Sequence, residues 1–319
     1  MMARRKASIS PTTVEFVVVA FKSERYLSAC LDAIQADRPE GSGITVVDNA
    51  SPDGSAAVAL AHPSKPRVVR SPQNVGFGAG CNLGVEVTSA EFAFFVNPDA
   101  RLRPGVTSRL LEALVAEAAI AAIGPRVIAD SGPEGAASAG FEPSVRSALG
   151  HFLLLARLPF FRSLFPPLQL PPNDTTRQVD WVSGAAMAVR VAAFRGVGGF
   201  DSSMFLYMED VDLCRRLREA GGIVVYEPNV EVVHALGGSQ GDEQPARWYR
   251  AFHSYVARRH GGGYARVVSA IAAFGLGIRA AILSATDVRR ARRLGKAALT
   301  AATEAIMIGS RPPSDARNP

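Results

Sequence analysis

Cysteine is scarce in this chain of 319 residues, and its three cysteines form no CxxC pair. An odd number of widely spaced cysteines is typical neither of a disulfide framework nor of a zinc site, and it favours a reducing compartment. No apolar run follows the basic residues Arg4 to Lys6, so the start of the chain is not typical of a signal peptide. We expect residues 1–12 to form a flexible basic tail.

The sequence also lacks a GxGxxG motif directly after its first predicted strand, where a dinucleotide-binding protein carries it. Its closely spaced glycines lie in Asn74–Asn82, after a later strand, and their spacing differs from that motif. This absence disfavours a nucleotide-dependent oxidoreductase. The glycines and the flanking amides Asn74 and Asn82 instead predict a loop whose backbone can approach a diphosphate or a sugar closely.

Cations exceed anions, with a formal net charge of +6. Such a balance suits an anionic partner, which is a nucleic acid, an acidic membrane surface or a phosphate-bearing substrate. The cations crowd into residues 289–296 and lack the interleaved aromatic side chains of a base-stacking platform. We therefore expect no nucleic-acid partner.

Apolar runs alternate with helical patterns in the first hundred residues. Predicted strands are Val14–Phe21, Ile44–Asp48, Arg67–Arg70 and Phe92–Val96. This alternation predicts an α/β fold with a Rossmann-like, mostly parallel sheet flanked by helices, whose ligands lie beyond the carboxyl ends of the strands. Residues 130–177 give no clear pattern, and we expect an insertion there, on the acceptor side.

Two acids follow the second predicted strand. Asp48 closes it, and a carboxylate there can accept a hydrogen bond from a ribose hydroxyl or a base N–H. Asp53 can do the same. The alternative is ordinary turn chemistry, which the run Asp48 to Gly54 also fits.

A metal site is predicted after the fourth strand. Asp99 in Asn97-Pro98-Asp99 can hold Mg²⁺ or Mn²⁺, or it can cap the helix expected near Pro104 or make an Asx-turn. His234 follows the strand-like Val230–Val233 and is expected in a loop. A lone histidine is usually structural, but its imidazole can complete the metal shell if the fold brings it to Asp99.

Three carboxylates, those of Glu209, Asp210 and Asp212, stand at the start of a predicted helix. The helix dipole favours negative charge there, and Asp212 can pair with Arg216 one turn later. A carboxylate so placed can also remove a proton from a hydroxyl within about 3 Å. Asp210 is the candidate base.

Taken in order, these segments resemble the inverting GT-A glycosyltransferases of family 2, especially the bacterial rhamnosyltransferase branch. The resemblance covers roughly residues 13 to 240. Its motifs are Val46–Ser51, Asn74–Phe77, Asn97–Asp99, Trp181–Ala185, Phe205–Leu213 and His234. The sequence departs from the family pattern at Asn97, the first acid of the DxD motif, and at Phe21-Lys22-Ser23, where many relatives have a Tyr-Asn type ending.

The resemblance implies roles for individual residues. Asp210 would be the catalytic base, and Asp99 and His234 would bind the metal that bridges the donor diphosphate. The implied acceptor-binding residues are Trp181, Gly184 and Glu209. The implied donor-nucleotide residues are Phe21, Asp48, Asp53, Asn74, Gly76, Phe77 and Asn97.

The branch also implies a reaction. Its actinobacterial members, which the chain resembles most, move L-rhamnose from dTDP-rhamnose to N-acetylglucosamine on a polyprenyl diphosphate during cell-wall or polysaccharide assembly. The alternatives are a UDP-sugar donor carrying galactofuranose or glucose, or a nucleotide-dependent oxidoreductase. A glycosidase can also use paired carboxylates, but it needs no metal and nucleotide site.

The C-terminal part differs in composition. Val267–Ile282 is almost wholly apolar, is shorter than the ~20 residues that span a bilayer, and precedes the basic cluster. It predicts an interfacial membrane anchor, and the alternative is a buried helix with a solvated basic face. We therefore expect a GT-A domain over residues 13–245 and a helical, membrane-associating element over 246–319, on the cytoplasmic face of the plasma membrane.

Overall fold

A computed structural model describes residues 13–130, 137–170, 175–235 and 244–306, so the predicted N-terminal tail lies outside the described residues. The strands are β1 Val14–Ala20, β2 Gly43–Asp48, β3 Arg67–Arg70, β4 Phe92–Val96, β5 Ala100–Leu102, β6 Ile120–Ala129, β7 Ala139–Gly140, β8 Arg177–Val179, β9 Trp181–Val182, β10 Ala186–Arg190 and β11 Ile223–His234. The helices are α1 Glu24–Asp37, α2 Ser55–Ala61, α3 Phe77–Glu86, α4 Val106–Ala116, α5 Val145–Phe152, α6 Val191–Gly196, α7 Glu209–Glu219, α8 Gln244–His260, α9 Gly262–Leu283 and α10 Val288–Ile306.

One large sheet organises the described part of the chain, in the order β3-β2-β1-β4-β10-β6-β11-β5, with β8 beside β11. Strands β3, β2, β1 and β4 are parallel, whereas β10 runs antiparallel between β4 and β6. Every residue of β1 and β4 is buried, as expected for apolar strands covered by helices on both faces. The predicted α/β, mostly parallel sheet is confirmed.

Helix α3 packs unusually close to β1, because glycines line its inner face. A Cβ atom built at Gly84 would lie 2.3 Å from Val17 Cγ1, and one at Gly80 would lie 2.7 Å from Val19 Cγ1. On the other side of the sheet, α1 buries the side chains of Leu27, Cys30, Leu31 and Ile34. The sheet therefore lies between two apolar clusters, and its carboxyl edge stays open.

Strand β11 is longer than the sequence pattern predicts. We expected a strand-like run at Val230–Val233, but the strand begins at Ile223, and its pairing with β6 continues to His234 across a register shift between Glu227 and Glu231. The expectation that His234 lies in a loop is therefore wrong. It is the last residue of the strand, opposite Ala100 of β5.

The stretch that the sequence left unassigned holds the helix α5 and strand β7, which pairs with β9 beyond the end of that stretch. Ser144 and Ser147 form a reciprocal capping box at the start of α5. A single 3-10 turn, Leu155–Arg157, follows the helix.

Helix α8 shares the core of the sheet domain. Tyr249, Phe252 and Tyr255 are buried in the same apolar cluster as Val17 of β1. Helix α9 runs for 22 residues, longer than the apolar run predicted, and packs against α5 and α10. The boundary near residue 245 between a GT-A domain and a C-terminal element stays a prediction.

Candidate active site

The polar residues predicted from the sequence meet beyond the carboxyl ends of β1, β2 and β4. The chain turns there through left-handed backbone that side-chain-bearing residues rarely adopt, with φ of 54° at Lys22, 55° at Ala50, 70° at Tyr207 and 68° at Met208. Such strain persists where the surrounding structure holds it in place, and it is concentrated at functional sites. Nothing in the sequence signals these four positions.

Asn49 connects two of the loops. Its side-chain amide donates to Asn74 Oδ1 at 2.9 Å and to the Gly76 carbonyl at 3.2 Å, and its oxygen accepts from the Val75 N–H at 2.9 Å. The side chain is almost fully buried, so these bonds hold the glycine loop against the end of β2. Sequence reasoning did not single out Asn49, although it directly follows Asp48.

The two acids after β2 differ in their surroundings. Asp48 is buried, and its Oδ1 accepts from the Ser51 N–H at 3.0 Å. Burial raises the pKa of Asp53, but hydrogen bonds from Ser51, Ser55 and the Glu24 N–H outweigh it and lower that pKa to about 2. Asp53 therefore stabilises the loop as an ionised acceptor. Its predicted contact with the nucleoside stays a prediction, as does that of Asp48.

Phe21 lies directly after β1 and is partly exposed. Its N–H bonds to Ser23 Oγ at 3.2 Å, and Lys22 Nζ lies 5.3 Å from the centre of its ring. Beside it, Lys22, Glu24, Arg25, Tyr26 and Asp53 line an open cleft of about 410 Å³. Phe21 is thus placed at the rim of the region where a nucleoside is predicted to bind.

The glycine loop contacts the segment that precedes α7. Gly76 has φ 87°, and a Cβ built on it would lie 2.3 Å from the Phe205 carbonyl oxygen. That same oxygen accepts from the Phe77 N–H at 3.2 Å. The Phe77 ring lies under Gly184, whose own Cβ would be 2.9 Å from Phe77 Cε1. Gly76 and Gly184 are both required for this close approach.

Gly76→Ala is expected to destabilise the protein by about 2 kcal/mol or more, because backbone with φ 87° and ψ 172° is essentially restricted to glycine and costs other residues about 1–3 kcal/mol, and the methyl group also meets backbone. Gly41→Ala is the matched control, since Gly41 has φ 79° but no described heavy atom within 4 Å of its Cβ position. Urea denaturation measures both. Equal losses in the two variants would contradict the role of the Phe205 contact.

The predicted metal residues are brought together. His234 Nε2 lies 2.9 Å from Asp99 Oδ1 and 3.1 Å from Asn97 Nδ2, and both Asp99 and His234 keep some exposure to solvent. The alternative that Asp99 caps the next helix is wrong. Asp37 takes that place, since its carboxylate accepts from the N–H groups of Gly105 at 2.6 Å and Thr107 at 2.7 Å.

A carboxylate oxygen and an imidazole nitrogen are suitable ligands for Mn²⁺ or Mg²⁺. Within the described ranges, no cluster of three or more His, Cys, Asp or Glu side chains can hold a metal. Asp99 and His234 could therefore supply two ligands, and diphosphate oxygens and water would supply the others, as is usual for Mg²⁺.

Asp210 is held at the start of α7. Its Oδ2 accepts from the Gly184 N–H at 2.9 Å, and its Oδ1 accepts from the Val211 N–H at 2.8 Å. Burial raises the pKa of Asp210, and these hydrogen bonds oppose the rise. The neighbouring acid Asp212 is structural, because it pairs with Arg215 and, as predicted, with Arg216, each at 2.7 Å. Arg215 and Arg216 are therefore paired with Asp212.

Glu209 is more deeply buried than Asp210. Burial, and then the charge of Asp210, raises its pKa to about 8. Its Oε2 is buried and has no hydrogen-bond partner among the described residues. Two adjacent buried carboxylates therefore resist carrying two negative charges at once.

Glu209→Gln is expected to remove a pH dependence of stability. The folded pKa of about 8 lies above the ordinary 4.5, so the stabilisation is complete below pH 4.5 and is lost as pH rises through about 8. Urea denaturation gives the unfolding free energy of the variant minus that of wild type at each pH. This difference should be larger at pH 8 than at pH 5 by at least about 1 kcal/mol. Glu219→Gln, an exposed acid on the same helix, is the control and should not change the pH dependence.

Trp181 is buried, and its indole N–H donates to the Phe141 carbonyl at 3.1 Å. Its ring packs against Gly140, where a Cβ would lie 2.7 Å from Cζ2. These contacts support the β7–β9 pair, and the predicted contact of Trp181 with the acceptor stays a prediction.

A continuous series of contacts joins the candidate base to the candidate metal residues. Asp210 accepts from Gly184, the carbonyl of the next residue, Ala185, accepts from the Asn97 N–H at 2.9 Å, and Asn97 contacts His234. The turn before β10 therefore lies between Asp210 and the Asp99–His234 pair. A substrate over this turn can meet a proton acceptor and a cation site at once.

Comparison with known proteins agrees with this arrangement. The profile of glycosyl transferase family 2 matches residues 15–164. The chain is 32% identical over 289 residues to N-acetylglucosaminyl-diphospho-decaprenol L-rhamnosyltransferase of Mycobacterium tuberculosis, which covers 85% of this chain and 91% of that relative.

Two solved structures show the fold. The mannosyltransferase PcManGT from Pyrobaculum calidifontis, in complex with GDP-Man and Mn²⁺, has a TM-score of 0.58 at 16% identity and covers 92% of this chain and 86% of its own. GalNAc-T7 with UDP, GalNAc and Mn²⁺ has a TM-score of 0.56 at 13% identity, covering 78% of this chain and 50% of its own. With its GT-A fold and its identity to the mycobacterial relative, the chain belongs to glycosyl transferase family 2 and is a glycosyltransferase similar to the rhamnosyltransferases of that family.

Proposed function

We propose that this glycosyltransferase moves L-rhamnose from dTDP-rhamnose, with inversion, to N-acetylglucosamine on a polyprenyl diphosphate in cell-wall or polysaccharide assembly. The observation that carries the proposal is the extent of the identity to the mycobacterial rhamnosyltransferase. It covers 289 residues and so reaches well beyond the segment that the family profile matches. Because the match covers 85% of this chain, it includes the part that carries Asp210.

Asp210 is the proton acceptor in this proposal. Inversion in one step needs the acceptor hydroxyl, the anomeric carbon and the leaving diphosphate nearly in line. Asp210 takes the proton of that hydroxyl as the oxygen attacks, and no covalent enzyme intermediate is needed. The N–H groups of Gly184 and Val211 hold its two oxygens in place. In this proposal Glu209, whose pKa is raised, would keep a proton, and Asp210 would carry the negative charge.

Asp99 and His234 would hold Mn²⁺ or Mg²⁺ on the other side of the turn before β10. When bound, the metal offsets the charge that develops on the departing nucleoside diphosphate. Both structural neighbours described above were solved with Mn²⁺, which supports a divalent cation for this chain. Asn97 would orient the His234 imidazole through the contact at 3.1 Å.

The donor nucleotide would lie along the carboxyl ends of β1 and β2. Asp48 would accept a hydrogen bond from the nucleoside, with Asp53 and Phe21 at the rim. Asn74, Gly76 and Phe77 would shape the pocket around the diphosphate and the sugar, supported by the buried Asn49. Gly184, Glu209 and Trp181 would lie on the acceptor side.

A polyprenyl-linked acceptor lies at a membrane, so the enzyme would be cytoplasmic and would bind peripherally to the inner face of the plasma membrane. The C-terminal helices support this location. Among the described helices, α9 is long and apolar enough to cross a membrane by length and composition, yet one of its faces packs on the domain.

Calorimetric titration with dTDP, UDP, GDP and NADH, each with and without Mn²⁺, tests the proposal. We expect metal-dependent binding of dTDP above the other ligands. A preference for UDP would contradict the rhamnosyl donor and indicate a galactofuranose or glucose donor on the same fold. Binding of NADH alone would contradict transfer from a nucleotide-sugar and would favour the oxidoreductase.

A further inference from the structure

Helix α9 has two different faces. It buries Ala265, Val268 and Leu276 against the domain. The large apolar side chains that it exposes are Val267 (51%), Phe274 (63%), Ile278 (44%) and Ile282 (68%). They are spaced by seven, four and four residues, so they form one stripe along the helix, here called the α9 stripe.

A second apolar element follows α5. Residues 158–164, here called the exposed turn, present Leu158 at 49%, Phe160 at 87% and Leu164 at 50% exposure. The rings of Phe160 and Phe161 pack edge to face at 5.4 Å, so the aromatic pair stays in contact with itself rather than with the core. Clustered exposed apolar side chains of this size indicate an interaction surface.

Helix α9 contacts the helix that precedes the exposed turn. A Cβ built at Gly275 of α9 would lie 2.4 Å from the carbonyl oxygen of Phe152, the last residue of α5. Arg279 donates to that same oxygen at 3.0 Å and to the carbonyl of His151. The exposed turn begins six residues after Phe152, so α9 lies directly against the helix that carries it.

Cations surround this junction. Arg157 and Arg162, which flank Phe160, are exposed, and so are Arg290 and three further cations of α10. Burial lowers the pKa of Arg279, and the nearby charges of Arg157 and Arg290 lower it further, which places both cations close to the α9–α5 contact. Exposed apolar side chains with arginines beside them are complementary to an anionic lipid surface.

Spanning the bilayer is incompatible with these contacts. If α9 left α5 to cross a membrane, Val268 and Leu276 would lose their packing and Arg279 would enter the hydrocarbon without the carbonyls of His151 and Phe152. Because α9 keeps one face on the sheet domain, we expect it to lie in the plane of the interface.

We propose that the α9 stripe and the exposed turn insert together into one leaflet of an anionic bilayer and so form a two-part docking surface. The inference rests on the proposed function, from which it takes a lipid-linked acceptor. It adds that the exposed turn, which lies in the stretch expected to be an insertion, reaches the membrane together with helix α9. Docking would bring the site to the membrane surface without a spanning segment.

Sedimentation of the full chain with phosphatidylcholine vesicles, with and without phosphatidylglycerol, tests the docking surface in the absence of substrate. We expect binding to the anionic vesicles that weakens as salt is added. Phe160→Ser and Phe274→Ser should each weaken it about tenfold, because each removes one large apolar side chain from the lipid. Leu60→Ser is the matched control, since Leu60 is 61% exposed on α2, and it should bind as wild type does.

Four results would overturn the inference: no binding to anionic vesicles, equal weakening by Leu60→Ser, retention in membranes after an alkaline carbonate wash, or a dimer in solution that Phe160→Ser dissociates. The carbonate result would indicate a spanning helix, and the dimer would indicate a second copy on the surface. Transfer to a water-soluble acceptor analogue is measured separately. Its absence with vesicle binding retained would contradict the proposed function and leave the docking surface standing.

Discussion

Asp210→Asn is expected to lower kcat by about 10²–10⁴-fold, the range that a positioned general base contributes. Asparagine keeps one oxygen, which can accept from one of the N–H groups of Gly184 and Val211, while its NH2 group faces the other. The variant therefore loses the proton acceptor and one of the two hydrogen bonds that hold the side chain at the start of α7. Transfer is measured with dTDP-rhamnose and a soluble acceptor analogue, and metal-dependent binding of dTDP should stay near that of wild type.

Glu219→Gln is the control for this variant, since it removes a carboxylate from the same helix at an exposed position, where Glu219 pairs with Arg215 at 2.6 Å. It should turn over as wild type does. Near-normal turnover by Asp210→Asn would remove Asp210 as the base. A loss of dTDP binding in the same variant would instead indicate that Asp210 shapes the donor pocket.

The second large effect is expected for Asp99→Ala, which should weaken metal-dependent binding of dTDP about a hundredfold or more. Residues that only orient a metal ligand contribute about 10–100-fold to metal affinity, and Asp99 is proposed to be a ligand itself. Binding of dTDP without metal should change little, because Asp48 and the glycine loop are untouched. Calorimetry with and without Mn²⁺ separates the two contributions.

Asp130→Ala is the matched control for the metal site. Asp130 directly follows β6, its N–H donates to the His234 carbonyl, and its carboxylate pairs with Arg101 at an exposed position. It therefore removes a carboxylate close to His234 but outside the proposed ligand set. Unchanged metal-dependent binding in Asp99→Ala, or an equal loss in Asp130→Ala, would contradict the role of Asp99.

The four strands of the first hundred residues could be predicted from local pattern. The bounds of β3 and β4 agree with the sequence prediction: β4 is an apolar run, and β3 is a pair of valines between two arginines, each followed by turn residues. The prediction failed for β11, where Pro228 and Asn229 interrupt the apolar pattern. The pairing with β6 accommodates the interruption by a register shift, which depends on a strand about a hundred residues earlier and is invisible in the local sequence.

The candidate site was predictable in its residue types more than in its contacts. Carboxylates and glycines after buried strands indicated Asp48, Gly76 and Asp99, since ligands bind at the carboxyl edge of such sheets. The buried amide of Asn49 and the deep burial of Trp181 were not predictable. Each depends on which distant segment covers the side chain.

By itself the sequence determined the alternation of strands and helices in the first hundred residues, the polar residues that follow those strands, and the resemblance to a family, because all of these are local patterns of side-chain type. Tertiary structure alone decided that His234 reaches Asp99, that the Phe205 carbonyl lies against Gly76, and that Glu209 keeps its proton near neutral pH. These features depend on contacts between segments more than a hundred residues apart in the sequence and on the removal of water from a buried carboxylate. Both require the folded chain.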